Sequence, residues 1–244
     1  APWAAKVAEH LKTDHTAFYV TPGDALDVIP RLPEIYDEPF ADSSAVPTFL
    51  VSKLARSRVT VALSGDGGDE QFAGYVRYWS TRAMATAFQR MPEGLRPPLG
   101  SALEKIPVSW VEKSYLPWRS LLPQRFNVAN FSDKWKKLVE LFQGGDIESL
   151  YRMTIHLWPK EILPALLQRD LVESQYEQTF RNTEGWPVLS RLMRVDQKTY
   201  LPDAMLTKVD RASMALSLEV RVPLLDHRVV EFTSLLPDHL KYRG

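Results

Sequence analysis

A short apolar run that leads directly into a glycine- and acid-rich segment constrains this chain most. Residues 59–63 read Val-Thr-Val-Ala-Leu, a β-branched composition that predicts a buried strand. Residues 64–70, Ser-Gly-Asp-Gly-Gly-Asp-Glu, follow without a spacer, and a helical pattern comes next. A strand, a tight turn and a helix in this order are typical of open α/β sheets, whose ligands bind beyond the carboxyl ends of the strands. We therefore expect a site in residues 64–70.

The rest of the first third alternates between helical and extended patterns. Apolar residues four apart predict a helix over residues 3–11, and the β-branched and aromatic residues 15–20 predict a second strand. Thr21, followed by a proline and then an acid, predicts a capped helix start, as does Ser43 or Ser44 before the next helix. From residue 72 onward the pattern is mainly helical. The sequence thus predicts part of a parallel α/β sheet in residues 1–80 and a mainly helical part in residues 81–244.

Composition excludes several classes of protein. The 244 residues contain 30 Lys and Arg against 30 Asp and Glu, and 45% of them are apolar, as in an ordinary globular protein. Zero net charge argues against a nucleic-acid binder, and no apolar run approaches the roughly 20 residues of a membrane span. The chain has no cysteine, which excludes disulfides, thiolate zinc sites and a cysteine nucleophile and fits a cytoplasmic setting.

Residues 64–70 combine glycines with acids in a way that suits a magnesium–nucleotide site. The glycines let the backbone approach a ligand closely, and a helix start favours phosphate. Asp66, Asp69 and Glu70 would repel a bare phosphate, but Mg²⁺ between carboxylate and phosphate oxygens removes that conflict. A tight turn with solvated acids is the alternative. A calcium loop is weaker, because the alternating acids of an EF-hand are missing.

Two cations form the second candidate group. Lys208 and Arg211 lie three residues apart on a helix predicted over residues 203–216, where like charges cost a few tenths of a kcal/mol. An anionic ligand would explain them, and loose pairing with neighbouring acids is the alternative. Glu219 and Arg221 point the same way along an extended segment, and a structural ion pair is the plainer interpretation of either. The five histidines show no metal-ligand spacing.

Four segments resemble one known family. Residues 61–75, which contain Ser-Gly-Asp-Gly-Gly-Asp-Glu, strongly resemble the second signature of the synthetase domain of glutamine-dependent asparagine synthetases. Residues 37–48 look like the segment before it, and residues 208–215 and 218–227 look like the C-terminal signatures. The four matches occur in the family's order and span nearly the whole chain, with a weaker stretch between residues 92 and 187.

The resemblance implies a fold and a reaction. The fold is the adenine nucleotide alpha hydrolase-like type, also called the PP-loop ATP pyrophosphatase type, with a mainly helical C-terminal half. The reaction is ATP-dependent amidation of a carboxylate, aspartate to asparagine: Mg-ATP activates the carboxylate as an acyl-adenylate, and ammonia from glutamine displaces the nucleotide. The implied cofactors are ATP and Mg²⁺, the implied partner is a glutaminase domain upstream, and a homodimer is compatible with it.

The resemblance also assigns residues. One group would contact ATP: Ser64, Gly65, Asp66 and Gly67. A second group would hold Mg²⁺: Asp69 and Glu70. Asp66 stands where many relatives have a glutamate linked to the intermediate, and Lys208 or, alternatively, Arg211 would stabilise the charge on the departing pyrophosphate.

Two parts of the family pattern are missing from the 244 residues. The first signature, a Ser-Gly-Gly-x-Asp-Ser loop, is not present, nor is the glutaminase domain. We therefore expect a domain truncated at both ends that is a poor catalyst by itself. The shorter acid at Asp66 keeps open an amidotransferase or cyclase that acts on another carboxylate. A non-catalytic relative that binds a partner is the third interpretation.

Overall fold

Helices dominate the part of the chain that the computed structural model describes, which is residues 2–110, 146–156 and 162–242 with Trp135, Val139 and Phe142. The helices in chain order are α1 (Pro2–Leu11), α2 (Pro22–Val28), α3 (Leu32–Tyr36), α4 (Ala45–Arg56), α5 (Gly68–Phe72), α6 (Val76–Gln89), α7 (Arg96–Glu104), α8 (Ile147–Ile155), α9 (Leu163–Leu167), α10 (Gln175–Asn182), α11 (Val188–Lys198), α12 (Thr207–Met214), α13 (His227–Leu235) and α14 (Asp238–Lys241). Short 3₁₀ turns occupy Ile29–Arg31, Glu93–Leu95 and Pro223–Leu225, and a π-helical turn, Leu201–Leu206, precedes α12. The strands are β1 (Val61–Leu63) and β2 (Glu219–Arg221).

The contacts divide the chain into two units, neither of which is continuous in sequence. The first contains residues up to 66 together with residues 202–226, and the second contains residues 67–201 together with the chain from residue 227 onward. Among the described residues, every helix is too short or too polar to cross a lipid bilayer.

The first unit contains a small parallel sheet. Val61 pairs with Glu219 and Leu63 with Arg221, and the Glu219 N–H donates to the Thr60 carbonyl at 2.9 Å. A parallel pair needs a long connection, which here includes residues 67–201 of the second unit. The prediction of a mostly helical α/β protein with part of a parallel sheet is confirmed at this level.

The helices of the first unit enclose an apolar core. α12 packs against α4, α3 and β2. The core residues are Val28, Ile35, Tyr36, Ala45, Phe49, Leu50 and Ala212. The predicted helix start at Thr21 is confirmed, because the Thr21 hydroxyl accepts from the Asp24 N–H at 3.2 Å in a reciprocal capping box. Pro30 and Pro33 divide the helical stretch after it into α2, a 3₁₀ turn and α3.

Two predictions about strands are wrong. Residues 15–20 are exposed and form no strand, since extended backbone needs a partner and the described structure offers it none; β1 pairs with residues 219–221 instead. β1 is also not buried, because Val61 is 40% exposed and Leu63 is 72% exposed. Apolar composition alone does not bury a strand. Covering elements must lie on both sides of the sheet.

The second unit is built around aromatic side chains. Its core contains Tyr78 from α6, Tyr151 from α8, Tyr176 and Phe180 from α10, and aliphatic residues of α11. α11 packs against α5, α6 and α10, and α13 packs against α5. The residues after the glycine-rich segment are thus anchored to a helical core.

Candidate functional site

Ser64, Gly65 and Asp66 form a turn at the carboxyl end of β1. The Ser64 N–H continues the sheet by donating to the Arg221 carbonyl at 2.9 Å. The Ser64 hydroxyl donates to the Asp66 carboxylate, and the Asp66 N–H donates back to the Ser64 Oγ at 3.1 Å. Apart from Gly65 and its two chain neighbours, no atom of the described structure lies within 4 Å of the point where a side chain on Gly65 would begin. The turn is therefore held by its own hydrogen bonds and has an open face at Gly65.

Gly67 and Gly68 begin the second unit. Gly67 has a φ of +81°, the left-handed region that favours glycine, and caps α5. α5 has only five residues, so its dipole contributes less to anion binding than the sequence interpretation assumed.

Asp69 is an exposed carboxylate with a close backbone neighbour. The Cβ of any residue larger than glycine at position 74 would lie 1.8 Å from the Asp69 Oδ1, so Gly74 leaves the space that the carboxylate occupies. The Gly74 N–H also donates to the Asp69 carbonyl at 3.0 Å. Gly74 is not a candidate from the sequence, where its only signal is a glycine five residues after Asp69.

Glu70, the next residue along, faces the interior of the second unit. It is 1% exposed, and the Tyr75 hydroxyl donates to its Oε1 at 2.9 Å. Burial raises the pKa of Glu70 above its usual value, and the hydrogen bond from Tyr75 only partly opposes the rise. The two acids predicted to hold a metal thus have opposite environments. Asp69 is exposed, whereas Glu70 is buried and accepts a hydrogen bond from Tyr75.

Lys208 lies on the buried side of α12, and its side chain is 7% exposed. Its ammonium donates to the Asp42 Oδ2 at 2.9 Å and to the Ser44 Oγ at 2.7 Å. Partial burial would raise the pKa of Asp42, but the hydrogen bonds from Ser44 and Lys208 outweigh it and lower the pKa below its usual value. Lys208 is a candidate from the sequence, but its two partners are not, because they lie more than 160 residues away.

Arg211, one turn further along α12, has a different environment. Its Nη1 donates to the Asp37 Oδ2 at 3.0 Å, and its side chain is 50% exposed. An exposed pair of this kind contributes about 0–1 kcal/mol and is screened by salt. Lys208 and Arg211 therefore bind opposite ends of residues 37–42. Glu219 and Arg221 bond each other at 2.7 Å on the surface, in agreement with the structural interpretation.

Whether these residues could bind a magnesium ion depends on the oxygen ligands that they offer. The described residues contain no group of three or more His, Asp or Glu side chains arranged to hold a metal. Asp69 offers an exposed carboxylate of the kind that Mg²⁺ accepts together with substrate phosphates and water. Of the two acids, Asp69 thus fits a magnesium ligand, and Glu70, which is buried and bonded to Tyr75, does not in this conformation.

Comparisons with known proteins identify the relatives of this chain. The sequence model described as asparagine synthase matches residues 1–244. Asparagine synthetase [glutamine-hydrolyzing] 1 of Bacillus subtilis is 30% identical over 241 residues, which cover 99% of this chain and 35% of the relative. A putative asparagine synthetase [glutamine-hydrolyzing] of Mycobacterium tuberculosis is 30% identical over 234 residues, which cover 96% of this chain and 33% of the relative. This chain spans about a third of the length of these relatives. No solved structure matches it at a significant level.

Proposed function

Because the chain belongs to the asparagine synthase family over its whole length, we propose that it forms the ATP-dependent, carboxylate-amidating part of a glutamine-dependent asparagine synthetase. The match over all 244 residues carries this proposal. The proposal includes a fold of the PP-loop ATP pyrophosphatase type, a glutaminase elsewhere in the complete protein as the source of ammonia, and aspartate as the carboxylate.

The proposed reaction has two steps. A carboxylate oxygen of aspartate attacks the α-phosphorus of ATP, the bond to the β-phosphate oxygen breaks, and pyrophosphate leaves. Ammonia then attacks the acyl carbon of the aspartyl-adenylate, the bond between that carbon and the AMP oxygen breaks, AMP leaves with the bonding electrons, and the new amide nitrogen loses a proton to water. Negative charge develops on the pyrophosphate in the first step and on AMP in the second, so the site must supply positive charge to the phosphates.

From the geometry of the turn after β1, we propose that its residues bind the nucleotide. The open face at Gly65 lets a nucleotide approach the backbone, and the mutual hydrogen bonds of Ser64 and Asp66 hold both side chains beside it. Gly67, in its left-handed conformation, completes the turn. Asp66 has two carboxylate oxygens, of which the Oδ2 accepts from Ser64. This leaves the other oxygen for the reacting groups.

Asp69 is the residue that we propose to bind Mg²⁺ with the phosphates of ATP. The ion, when bound, neutralises charge on the phosphate oxygens. What the chain itself contributes is an exposed carboxylate whose position depends on Gly74. Lys208 and Arg211 are the candidate cations for the pyrophosphate.

The test is formation of AMP and pyrophosphate by the full-length protein with ATP, MgCl₂, ammonium chloride and a panel of carboxylic acids. We expect both products with aspartate, and aspartate labelled with oxygen-18 should transfer one labelled oxygen to AMP. Formation of ADP, or AMP without label, contradicts the acyl-adenylate. If another carboxylic acid stimulates formation of AMP and pyrophosphate instead, that acid is the substrate. The shorter side chain at Asp66 favours this alternative. The absence of any product favours a non-catalytic relative.

A separate variant tests the proposed role of Asp69. Asp69→Asn keeps the shape but loses the charge, and we expect product formation to fall about 100-fold or more at saturating ATP. Asp14→Asn, at an exposed acid of the first unit, is the matched control. If the two variants have equal activity, Asp69 does not bind the metal.

A further inference from the structure

The environment of Lys208 is unusual for a lysine. An ammonium group is compact and strongly hydrated and sits on a flexible stem, so burial at 7% exposure needs compensation. Asp42 and Ser44 supply it, at 2.9 Å and 2.7 Å. Both come from a single short segment before α4, which the distant α12 meets only in the folded protein.

The two partners are themselves held rigidly. The Ser44 N–H and hydroxyl donate to the Asp42 Oδ1 at 2.8 Å and 2.6 Å, so the carboxylate uses its other oxygen for the lysine. On the opposite side, the Tyr36 hydroxyl donates to the Lys208 carbonyl at 3.3 Å. Burial and the charge of Asp42 raise the pKa of Tyr36 to about 12, which keeps the phenol a donor. Both ends of the lysine are fixed.

Ser44 does not make the helix-capping hydrogen bond that is common for a serine at its position. It is the first residue before α4, where serine normally accepts a hydrogen bond from the helix. Here its side chain makes no capping bond and instead accepts from Lys208. A side chain that departs from the local rule and bonds a distant residue is expected at a functional position.

The geometry leaves one proton of the ammonium weakly bound. Two of its three N–H groups have strong oxygen acceptors, and its other hydrogen-bond neighbour among the described residues is the Met205 Sδ at 3.5 Å. A thioether is a weak acceptor. A phosphate oxygen would replace it favourably, because hydrogen bonds between charged groups are the strong ones.

We propose that Asp42 and Ser44 are positioning residues that aim the Lys208 ammonium at a phosphate oxygen of the substrate; this inference rests on the proposed function. Neither residue touches substrate. They remove the freedom of a flexible cation in advance, so the charge is in place when pyrophosphate leaves. Among the described residues, the exposed Arg211 has one ion-pair partner, Asp37, which gives it no such support.

The first test measures kcat and the KM for ATP in the full-length protein. We expect Asp42→Asn to lower kcat about 10- to 100-fold, as loss of a supporting residue does, with the KM for ATP changed less than about threefold. Ser44→Ala should lower kcat about fivefold, and Ser44→Thr, which keeps the hydroxyl, should restore it. Glu38→Gln and Ser43→Ala are exposed matched controls from the same segment.

A double-mutant cycle distinguishes positioning through the lysine from a general structural role. Lys208→Met should lower kcat at least as much as Asp42→Asn, and the double variant should be no worse than Lys208→Met. Additive losses overturn the inference. So does full activity of Lys208→Met, which would assign the cation to Arg211. Circular dichroism at the assay temperature checks folding, and the Ser44 pair carries the test if Asp42→Asn does not fold.

The outcomes separate this inference from the proposed function. If the wild-type protein forms no AMP and pyrophosphate with any carboxylic acid, both are overturned. If it is active and Asp42→Asn retains its kcat, the function stands and the positioning role does not.

Discussion

At the scale of single residues, Asp69 and Glu70 show how far neighbours in sequence can differ. Both are acids in the same glycine-rich segment, and their residue type indicates the same chemistry. In the folded protein, Asp69 is exposed beside Gly74, whereas Glu70 is buried and bonded to Tyr75. The helix α5 points successive side chains about 100° apart, so one faces solvent and the next faces the core. Metal binding is therefore proposed for Asp69 alone.

The raised pKa of Glu70 predicts a pH dependence of stability. Between the unfolded value near 4.5 and the raised folded value, the folded protein holds more protons than the unfolded one, so stability falls as pH rises through this window. Glu70→Gln removes the buried charge and keeps an acceptor for Tyr75. We expect its Tm to equal that of the wild type near pH 4 and to exceed it by about 2–4 °C at pH 7.

Thermal unfolding at both pH values checks this, with the exposed Glu184→Gln as control. A Tm difference for Glu70→Gln that is the same at pH 4 and pH 7 contradicts the predicted titration.

At the scale of elements, helix starts follow local chemistry closely. Ser174 caps α10 as Thr21 caps α2: its hydroxyl accepts from the Glu177 N–H at 3.3 Å, and the Glu177 carboxylate accepts from the Ser174 N–H at 2.8 Å. α10 contributes Tyr176 and Phe180 to the core of the second unit. Loss of the cap should therefore reduce the stability of that unit.

We expect Ser174→Ala to lower the free energy of unfolding by about 1 kcal/mol, because the first turn loses an acceptor. Ser174→Gly should cost only a few tenths of a kcal/mol, since glycine suits the capping backbone. Urea unfolding measures both. Equal losses for the two variants would show that the hydroxyl does not cap the helix.

At the scale of the whole molecule, each unit has its own charged side chain whose hydrogen bonds link separate elements of that unit. In the second unit, the fully buried Asp196 Oδ2 accepts from Tyr78 at 2.7 Å, from Tyr151 at 2.7 Å and from the Arg77 Nη2 at 2.6 Å. Its Oδ1 has no partner among the described residues, so these three donors alone offset the free-energy cost of burying the carboxylate there. They join α6, α8 and α11. The Lys208–Asp42 pair has the corresponding place in the first unit, between α12 and the start of α4.

Asp196→Asn leaves the Arg77 guanidinium largely buried without a counter-charge, and we expect it to cost about 3–5 kcal/mol of stability. Hydrogen exchange should increase in α6, α8 and α11 and stay unchanged in α4 and α12 of the first unit. The exposed Asp170→Asn should change neither region. Equal acceleration in both units would contradict separate cooperative units.

Local signals predicted local structure well. The hydroxyl, proline and acid at residues 21–24 predicted a helix start, and the glycine-rich residues after β1 predicted a tight turn, because caps and turns depend on neighbours within four residues. The sequence predicts a division near residue 80, whereas packing joins residues 202–226 to the N-terminal part. Pattern alone cannot find that association, since nothing local to residues 219–221 specifies β1 as their partner.

What the amino-acid sequence by itself determined is the family, the helical character and the set of chemically capable residues: Ser64, Gly65, Asp66, Gly67, Asp69, Glu70, Lys208 and Arg211. Only the tertiary structure decided how they are used. It buried Glu70 and exposed Asp69, placed Asp42 and Ser44 on the ammonium of Lys208, and left Arg211 with an exposed partner. The physical reason is that residue type sets what a group can bond, whereas the fold sets its solvation and its charge partners, which for Lys208 and Arg211 lie more than 160 residues away.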